Sequence, residues 1–282
     1  MAQTNLSDEL LRAEGLLVQG QAEAALELLS RLAEDAEEYV DRNCPTTDEL
    51  QWFSFPTIFE RLAYRRVEGD PRELRDVGEP LDRLYADFAL AAVHCGDYDQ
   101  AASALRQAVR WNPMGCEHRL NLADLCRIAG DMRECMALSY SVFERASEAA
   151  HLVRAYLNFA QYFQAAENPR AAAACLHVAQ CIDAEDSALK ALLEHAAGTD
   201  ADPSGMTDEQ AEELLSAEGL PSGANAEIAV CLLMCAADAA AMGQRDVATN
   251  LTLRARDLVG EKAAMALLEL IRSDDEEADD AS

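Results

Sequence analysis

The sequence predicts an all-α fold, built as a solenoid of antiparallel helix pairs. The first observation is a repeated turn, because Gly96-Asp97 returns as Gly130-Asp131 after 34 residues. A spacing in this range is typical of stacked helical repeats, which cannot bury their apolar faces alone. The second observation is composition, since 50% of the residues are hydrophobic but only 6% are aromatic, and Ala dominates the apolar set. Small side chains with high helix propensity favour closely packed helices, and strand signals are almost absent.

Residues 1–82 are predicted to contain one helix pair followed by an insertion. The pair spans 8–19 and 23–33, with its turn at Gly20. The chain then passes through Asn43-Cys44-Pro45, which is typical of the end of a helix. We therefore expect the insertion to begin at this point.

The insertion is rich in aromatic residues over the stretch LQWFSFPTIFERLAY. Thr46 and Glu49 have the spacing of a capping box, which predicts a helix over this stretch. Pro56 is expected in the first turn of a second helix, because it cannot continue the preceding one. We expect the aromatic side chains to form a local core, and the alternative is an exposed patch that binds a partner or forms a dimer. The residues of that alternative patch are Trp52, Phe53, Phe55 and Phe59.

The segment 83–184 is predicted to contain three helix pairs, of which the first has the clearest pattern. Residues 84–113 read LYADFALAAVHCGDYDQAASALRQAVRWNP. This stretch resembles a tetratricopeptide repeat, in which two helices joined by a tight turn touch through small side chains. The resemblance implies a right-handed superhelix of such pairs. The matching positions are Tyr85, Phe88, Ala89, Ala101, Leu105, Ala108 and Pro113.

The other two central pairs resemble the same repeat in degenerate form. The second, over 116–149, keeps Leu122, Ala123 and Gly130. The third has the turn Glu167-Asn168-Pro169, which lacks the glycine. Its matching positions are Tyr156, Phe159, Ala160, Ala172 and Ala179.

Residues 185–272 are predicted to form C-terminal helices that include a further pair around Gly243. Thr207 and Gln210 have the spacing of a capping box, which predicts the start of a short helix. The last ten residues, 273–282, read SDDEEADDAS and are expected to form a solvated, disordered tail. The small positions of the further pair are Ala236, Ala248 and Ala255.

The charge of the chain excludes several classes of partner. A formal net charge of −29 opposes any general attraction to nucleic acid or to an anionic membrane. The charge is uneven, because 83–183 holds nine Arg and eleven acidic residues, whereas 184–282 holds 22 acidic and six basic residues. No apolar run approaches the roughly 18 to 20 residues that a membrane span needs, and no signal-peptide pattern is present. We therefore predict a soluble, cytoplasmic protein that binds neither nucleic acid nor membrane.

The spacing of the cysteines and the lack of catalytic motifs predict a protein without enzymatic activity. Nine cysteines without paired spacing are typical of a reducing compartment. Cys231 and Cys235 share a helical face, but no pair has the close spacing of a structural zinc site. We interpret the cysteines as buried small hydrophobes, with metal or redox chemistry as the alternative. No motif of a known enzyme class is present, so we predict no catalytic residue, no cofactor and no metal. The excess of Arg over Lys indicates a GC-rich bacterial genome.

In tetratricopeptide proteins, the first helix of each pair lines a concave groove that receives a peptide or a partner helix. The resemblance therefore implies a groove that contains three arginines and several amides in this chain. These groups suit a ligand with an acidic segment or a free C-terminus, and the alternative is that they are ordinary solvated helix positions. The implied groove residues are Arg83, His94, Asn121, Arg127, Arg154, Asn158, Gln161 and Gln164.

These patterns together predict a non-catalytic protein-interaction module or adaptor. Its partner would be a protein or a peptide segment that docks in the groove of a rigid helical scaffold. The alternatives are a regulatory protein that senses a small ligand or peptide, and a dedicated chaperone for one client. The sequence leaves the oligomeric state open.

Overall fold

A computed structural model describes residues 6–182 and 185–280 of the chain. These residues are mostly helical, which confirms the predicted all-α class. Their contacts divide the chain into two compact units, Met1–Cys135 and Met136–Ser282. The division falls inside the segment 83–184, which the sequence predicts as one block of three pairs. The physical reason is that the first central pair packs on the N-terminal helices, whereas the third packs on helices that follow it.

The described residues form fourteen helices and one pair of short strands. The first unit contains α1 (Leu6–Val18), α2 (Ala22–Asn43), β1 (Leu50–Phe53), α3 (Ile58–Glu68), β2 (Glu73–Asp76), α4 (Leu81–His94), α5 (Tyr98–Trp111) and α6 (Cys116–Ile128). The chain passes from the first unit to the second within α7 (Met132–Phe143). The second unit continues with α8 (Ala149–Ala165), α9 (Pro169–Ile182), α10 (Ser187–Ala196), α11 (Asp208–Ala217), α12 (Ala226–Ala241), α13 (Arg245–Val259) and α14 (Glu261–Asp280).

Neighbouring helices joined by short turns pack against each other as helical hairpins. This holds for α1 with α2, α4 with α5, α8 with α9, and α12 with α13. The residues predicted at the small positions are at most 4% exposed, except for Ala248, which is half-buried. Because these side chains are short, the two helix backbones of a hairpin can approach closely. The buried small positions are Ala89, Ala101, Ala108, Ala123, Ala160, Ala172, Ala179, Ala236 and Ala255.

The repeated Gly-Asp turn ends one helix and begins the next. Gly96 has a φ of +79°, a left-handed conformation that costs glycine little. The N–H of Asp97 donates to the carbonyl of Ala92 at 2.9 Å, which closes the end of α4. The carboxylate of Asp97 then accepts the N–H of Gln100 at 3.0 Å and caps the start of α5. The turn at Gly130-Asp131 has the same arrangement, as the 34-residue spacing predicts.

The third central turn reaches the same backbone shape without glycine. Glu167 has a φ of +56° and is the one non-glycine residue with a positive φ in the part of the chain that the structure describes. The N–H of Asn168 donates to the carbonyl of Phe163 at 2.8 Å, and the Asn168 side chain accepts the N–H of Ala171 at 3.3 Å. Asn168 therefore takes the place of the aspartate, while Glu167 carries the strain that glycine avoids.

The insertion differs from its prediction in both secondary structure and capping. Residues 50–53 form β1, which pairs in parallel with β2 in the register Leu50 to Glu73, so the predicted helix over this stretch is wrong. The capping box belongs to Thr57 and Glu60 at the start of α3, and not to Thr46 and Glu49. Pro56 precedes this cap and lies outside the helix. The helix begins after Pro56 because the side chains of Thr57 and Glu60 form the capping box that satisfies the free N–H groups of its first turn.

A buried polar network attaches the insertion to the α4–α5 hairpin. The N–H of Ser54 donates to the carbonyl of Trp111 at 2.9 Å, and its hydroxyl accepts the N–H of Leu81 at 2.9 Å. The same hydroxyl lies 3.2 Å from Asp82 Oδ1, and Asn112 Nδ2 donates to Asp82 Oδ2 at 3.3 Å. These polar side chains are buried, so each depends on its partners inside the protein.

The second unit is held together by contacts of the α8–α9 hairpin with later helices. Helix α11 packs on α9, and α13 packs on α8. The hydroxyl of Tyr156 donates to the carbonyl of Pro221 at 2.9 Å, and Arg254 donates to the carbonyl of Ser147 at 3.2 Å. The predicted capping box at the start of α11 is confirmed, since Thr207 and Gln210 make both of its hydrogen bonds.

The C-terminus differs from the predicted disordered tail. Helix α14 continues to Asp280, so helical backbone covers 273–280, and residues 281–282 lie outside the described part of the chain. The physical reason is that extending an existing helix requires no new nucleation. Among the described residues, no helix is both long and apolar enough to cross a membrane.

Replacing Ser54 with Ala tests the buried network. We expect the free energy of unfolding of the first unit to fall by about 1–3 kcal/mol, because the N–H of Leu81 and the carbonyl of Glu79 each lose their hydrogen bond to the Ser54 hydroxyl. Denaturant titration followed by tryptophan fluorescence measures this, since both tryptophans, Trp52 and Trp111, belong to the first unit. Ser103 is exposed on α5, so Ser103→Ala is the matched control and should stay within about 0.5 kcal/mol. Equal effects of the two changes would contradict the role of the network.

Replacing Glu167 with Gly tests the strained turn. We expect a gain of about 0.5–1 kcal/mol in stability, because removing left-handed strain outweighs the larger entropy of glycine in the unfolded chain. Unfolding followed by circular dichroism measures the gain. The control is Gly130→Ala, which places a side chain at a φ of +82° and should destabilise. A loss of stability in Glu167→Gly would show that this turn carries no strain.

Candidate functional site

An open cleft lies between α4, α5 and α6 in the first unit. Its volume is about 420 Å³. We call it the α4–α6 cleft and define it by its lining residues. These are Ala86, Ala89, Leu90, Val93, Tyr98, Leu105, Asn121, Asp124, Leu125 and Ile128.

Three large apolar side chains at this cleft are exposed. The exposed fractions are 47% for Leu90, 49% for Tyr98 and 61% for Ile128. Single exposed apolar residues are common on proteins, but several around one concavity are typical of a binding surface. The half-buried Asn121 adds an amide to the lining, which can hydrogen-bond a peptide backbone.

A second, acidic cleft adjoins the first one. It has a volume of about 780 Å³ and shares Tyr98, Leu125 and Ile128 with the α4–α6 cleft. Arg106 lies in it and is paired with Glu134 at 3.0 Å. Because one carboxylate neutralises this arginine, the remaining carboxylates leave the acidic cleft negatively charged. The acidic residues that line it are Asp97, Asp99, Asp131 and Glu134.

The four predicted groove residues in the first unit have different surroundings. Asn121 lines the α4–α6 cleft. Arg127 pairs with Asp124 at 3.3 Å, and His94 is exposed but does not line the cleft. Arg83 pairs with Glu14 through its Nε at 2.8 Å, away from the cleft lining.

The other four predicted residues, on α8, belong to the second unit. Arg154, Asn158, Gln161 and Gln164 are all half-buried. Asn158 donates to the hydroxyl of Ser139 at 2.9 Å, so its amide is engaged within the unit. The eight predicted residues are therefore divided equally between the two units, and only Asn121 lines the α4–α6 cleft.

The aromatic segment of the insertion forms a local core, which was the first of its two predicted roles. Phe53 and Phe59 are each 2% exposed, so they cannot contribute to a surface patch, and this part of the alternative is wrong. The ring of Phe53 stacks on that of Phe55 at 4.8 Å between centroids and contacts the ring of Tyr64 at 4.6 Å. Trp52 is half-buried and donates its indole N–H to a backbone carbonyl.

A titratable cluster surrounds Arg83 where α1 meets α4. The carboxylate of Asp87 lies 4.0 Å from Arg83, and its Oδ2 is buried without a hydrogen-bond partner in the described part of the unit. Burial and, to a smaller extent, the charge of Glu14 raise the pKa of Asp87, Arg83 opposes them, and the net result is a pKa of about 7. Asp87 therefore changes its charge close to neutral pH.

A cluster of possible metal ligands lies in the second unit. His177 Nε2 is 2.8 Å from Asp208 Oδ1, and Cys181 Sγ is 3.8 Å from the same nitrogen and 3.9 Å from the same oxygen. Burial raises the pKa of the Cys181 thiol, and the neighbouring Asp208 raises it further. The sequence does not predict this cluster, because it contains a single cysteine and no cysteine pair with the spacing of a zinc site. The one local signal was the spacing of four residues between His177 and Cys181, whereas Asp208 lies on another helix.

Of the remaining cysteines, all except Cys95 fit their prediction as buried hydrophobes. Seven of the nine are buried, and the exposed ones are Cys95 and Cys181. Burial raises the pKa of Cys126 to about 11 and raises that of Cys175 further still. Thiols with such pKa values are poor nucleophiles at neutral pH.

No family model matches this chain, and no match to it was found among curated proteins.

Replacing Asp87 with Asn tests the titratable cluster. The unfolded pKa is about 3.9, so between pH 4 and pH 7 the folded state holds a proton that the unfolded state has lost, and stability falls as pH rises through this range. We expect Asp87→Asn to stabilise the first unit more at pH 8 than at pH 5, because the amide removes the buried charge. Denaturant titration with tryptophan fluorescence at the two pH values measures this difference. The exposed Asp99→Asn is the control, and the same effect of Asp87→Asn at both pH values would contradict the assignment.

Proposed function

We propose that this protein is a non-catalytic interaction module that binds an apolar segment of a partner protein in the α4–α6 cleft. The observation that carries the proposal is the group of exposed apolar side chains, Leu90, Tyr98 and Ile128, around an open concavity. Covering them with a partner would remove apolar surface from water at about 25 cal/mol per Å².

A tetratricopeptide-like, right-handed arrangement of the helix pairs is part of the same proposal. Three features support it: the 34-residue recurrence of the Gly-Asp turn, the burial of the small positions, and the packing of α4 on α5. In that arrangement the first helices of successive pairs face the ligand. Helices α4 and α6 occupy these places, and both line the cleft.

The charge around the cleft favours a partner segment with basic residues next to its apolar ones. The acidic cleft adjoins the α4–α6 cleft through Tyr98 and Ile128 and carries an excess of carboxylates. The sequence favoured an acidic segment or a free C-terminus because of its arginines. In the first unit, however, Arg83 and Arg127 are each paired with a carboxylate. A carboxylate ligand would have to displace these partners, whereas Lys or Arg on the ligand would meet a cleft with a net negative charge.

The proposed mechanism is docking onto a preformed surface. The cleft is built from three helices of one unit, and the α4–α5 hairpin is fixed by buried Ala101 and Ala108. A rigid receptor orders few of its own side chains on binding, so more of the contact energy appears as affinity. The chain's nine free cysteines also support a reducing, cytoplasmic setting for this interaction.

Selection of peptides from a random dodecapeptide display library on the purified chain tests this function. We expect the enriched peptides to combine two or three large apolar residues with Lys or Arg. Synthetic copies labelled with fluorescein should lose affinity about tenfold or more for Leu90→Ser and for Ile128→Ser, because each change removes about 1.5 kcal/mol or more of apolar burial. Neither change alters the charge, so lost binding would not reflect weaker electrostatic attraction.

The matched control is Leu11→Ser, which removes an apolar side chain that is 58% exposed on α1. This variant should bind the selected peptides as the unchanged chain does. Enrichment of acidic peptides or of free C-terminal carboxylates would overturn the proposed ligand and restore the sequence-based one. Equal binding by the cleft variants and the control would show that the α4–α6 cleft is not the binding surface.

A further inference from the structure

The cluster of His177, Cys181 and Asp208 brings three metal-binding atoms together on two helices. His177 and Cys181 are four residues apart on α9, so they share one face of that helix. Asp208 is the first residue of α11, which packs on α9. The three atoms, an imidazole nitrogen, a sulfur and a carboxylate oxygen, all lie within 4.8 Å of one another.

We propose that His177, Cys181 and Asp208 form a binding site for a divalent transition-metal ion of the zinc class. Zn²⁺ binds nitrogen, sulfur and oxygen at about 2.0–2.3 Å, so neighbouring ligand atoms of a tetrahedral site lie about 3.3–3.7 Å apart. The two distances from Cys181 Sγ, 3.8 and 3.9 Å, are close to that range. The 2.8 Å between His177 and Asp208 requires a small opening, which the Asp208 side chain allows because it is 86% exposed.

The choice of ion follows from the chemistry of the ligands. A thiolate and an imidazole favour Zn²⁺, Co²⁺, Ni²⁺ or Cu²⁺, whereas Mg²⁺ and Ca²⁺ favour all-oxygen sites. An ordinary ion pair between His177 and Asp208 would explain one distance of the cluster. It would not explain why Cys181, one of only two exposed cysteines in the chain, lies beside both partners.

The scaffold of the cluster is fixed at several points. The capping box of Thr207 and Gln210 holds the first turn of α11, where Asp208 is located. Farther along the same helix pair, Asn168 Nδ2 donates to Glu218 Oε1 at 2.8 Å. Ligands placed on rigid helices need only small side-chain movements to bind the ion, which lowers the cost of binding.

The cluster faces a cleft that leaves room for a fourth ligand. This cleft, of about 570 Å³, is lined by the cluster and by residues of α11 and of the turn between α13 and α14. Glu212 lies one helical turn after Asp208 and lines the same cleft. A water molecule or the Glu212 carboxylate would complete a four-coordinate site, so three fixed ligands leave one position open to exchange.

Titration of the purified, tag-free chain with Co²⁺ tests the site, because thiolate coordination to Co²⁺ produces a charge-transfer absorption in the near ultraviolet. We expect this absorption to saturate at one ion per chain and to disappear on addition of Zn²⁺. Cys181→Ser should abolish the absorption, while Asp208→Asn and His177→Gln should weaken Co²⁺ binding about tenfold or more. Cys181 and Asp208 are exposed, so these two changes should leave the melting temperature of the metal-free chain unchanged.

The matched control is Cys95→Ser, which removes the other exposed cysteine and should bind Co²⁺ like the unchanged chain. Three results would overturn the proposal. The first is an absence of thiolate absorption in the unchanged chain, and the second is its persistence in Cys181→Ser. The third is Co²⁺ binding that Mg²⁺ displaces as readily as Zn²⁺ does, because this would indicate adventitious binding to surface carboxylates. None of these results depends on whether the α4–α6 cleft binds a peptide.

Discussion

The close approach of paired helices is the constraint on which both units depend. In α9, the four consecutive alanines Ala171–Ala174 are all buried, so this helix is surrounded on several sides and not along one stripe. Such burial requires small side chains, because larger ones would force the neighbouring backbones apart. Most of the apolar side chains in the hairpins are therefore hidden. The exposed Leu90, Tyr98 and Ile128 are exceptions to this burial, and their grouping around one cleft therefore indicates a binding surface.

The sequence predicted well those features that depend on short-range contacts. The Gly-Asp turns were recognisable because glycine supplies the left-handed backbone and the next aspartate caps the following helix within three residues. The helix predicted at the start of the insertion is wrong, because β1 is stabilised as a strand by pairing with β2. The two strands are far apart in the sequence, since Leu50 pairs with Glu73. A local capping pattern at Thr46 and Glu49 carried no information about that partner.

The candidate sites also depend on contacts between residues that are distant in sequence, which local patterns do not predict. Of the eight groove residues that the family resemblance implied, only Asn121 lines the α4–α6 cleft. An arginine can bind a ligand only if no carboxylate of the protein already pairs with it. Arg83 is paired with Glu14, which lies on another helix, α1, and local sequence does not reveal this contact. The metal-binding cluster depends on α11 packing against α9. Its ligand set therefore becomes visible only when the contacts between helices are known.

Because most of the cysteines are buried, each of the two units can be labelled at one exposed cysteine. Each unit has a single exposed thiol, Cys95 in the first and Cys181 in the second, while the other seven side chains are shielded. A thiol-reactive fluorophore would therefore attach once to each unit without any engineered cysteine. Energy transfer between a donor and an acceptor at these positions could then follow the separation of the two units in solution, in the native sequence.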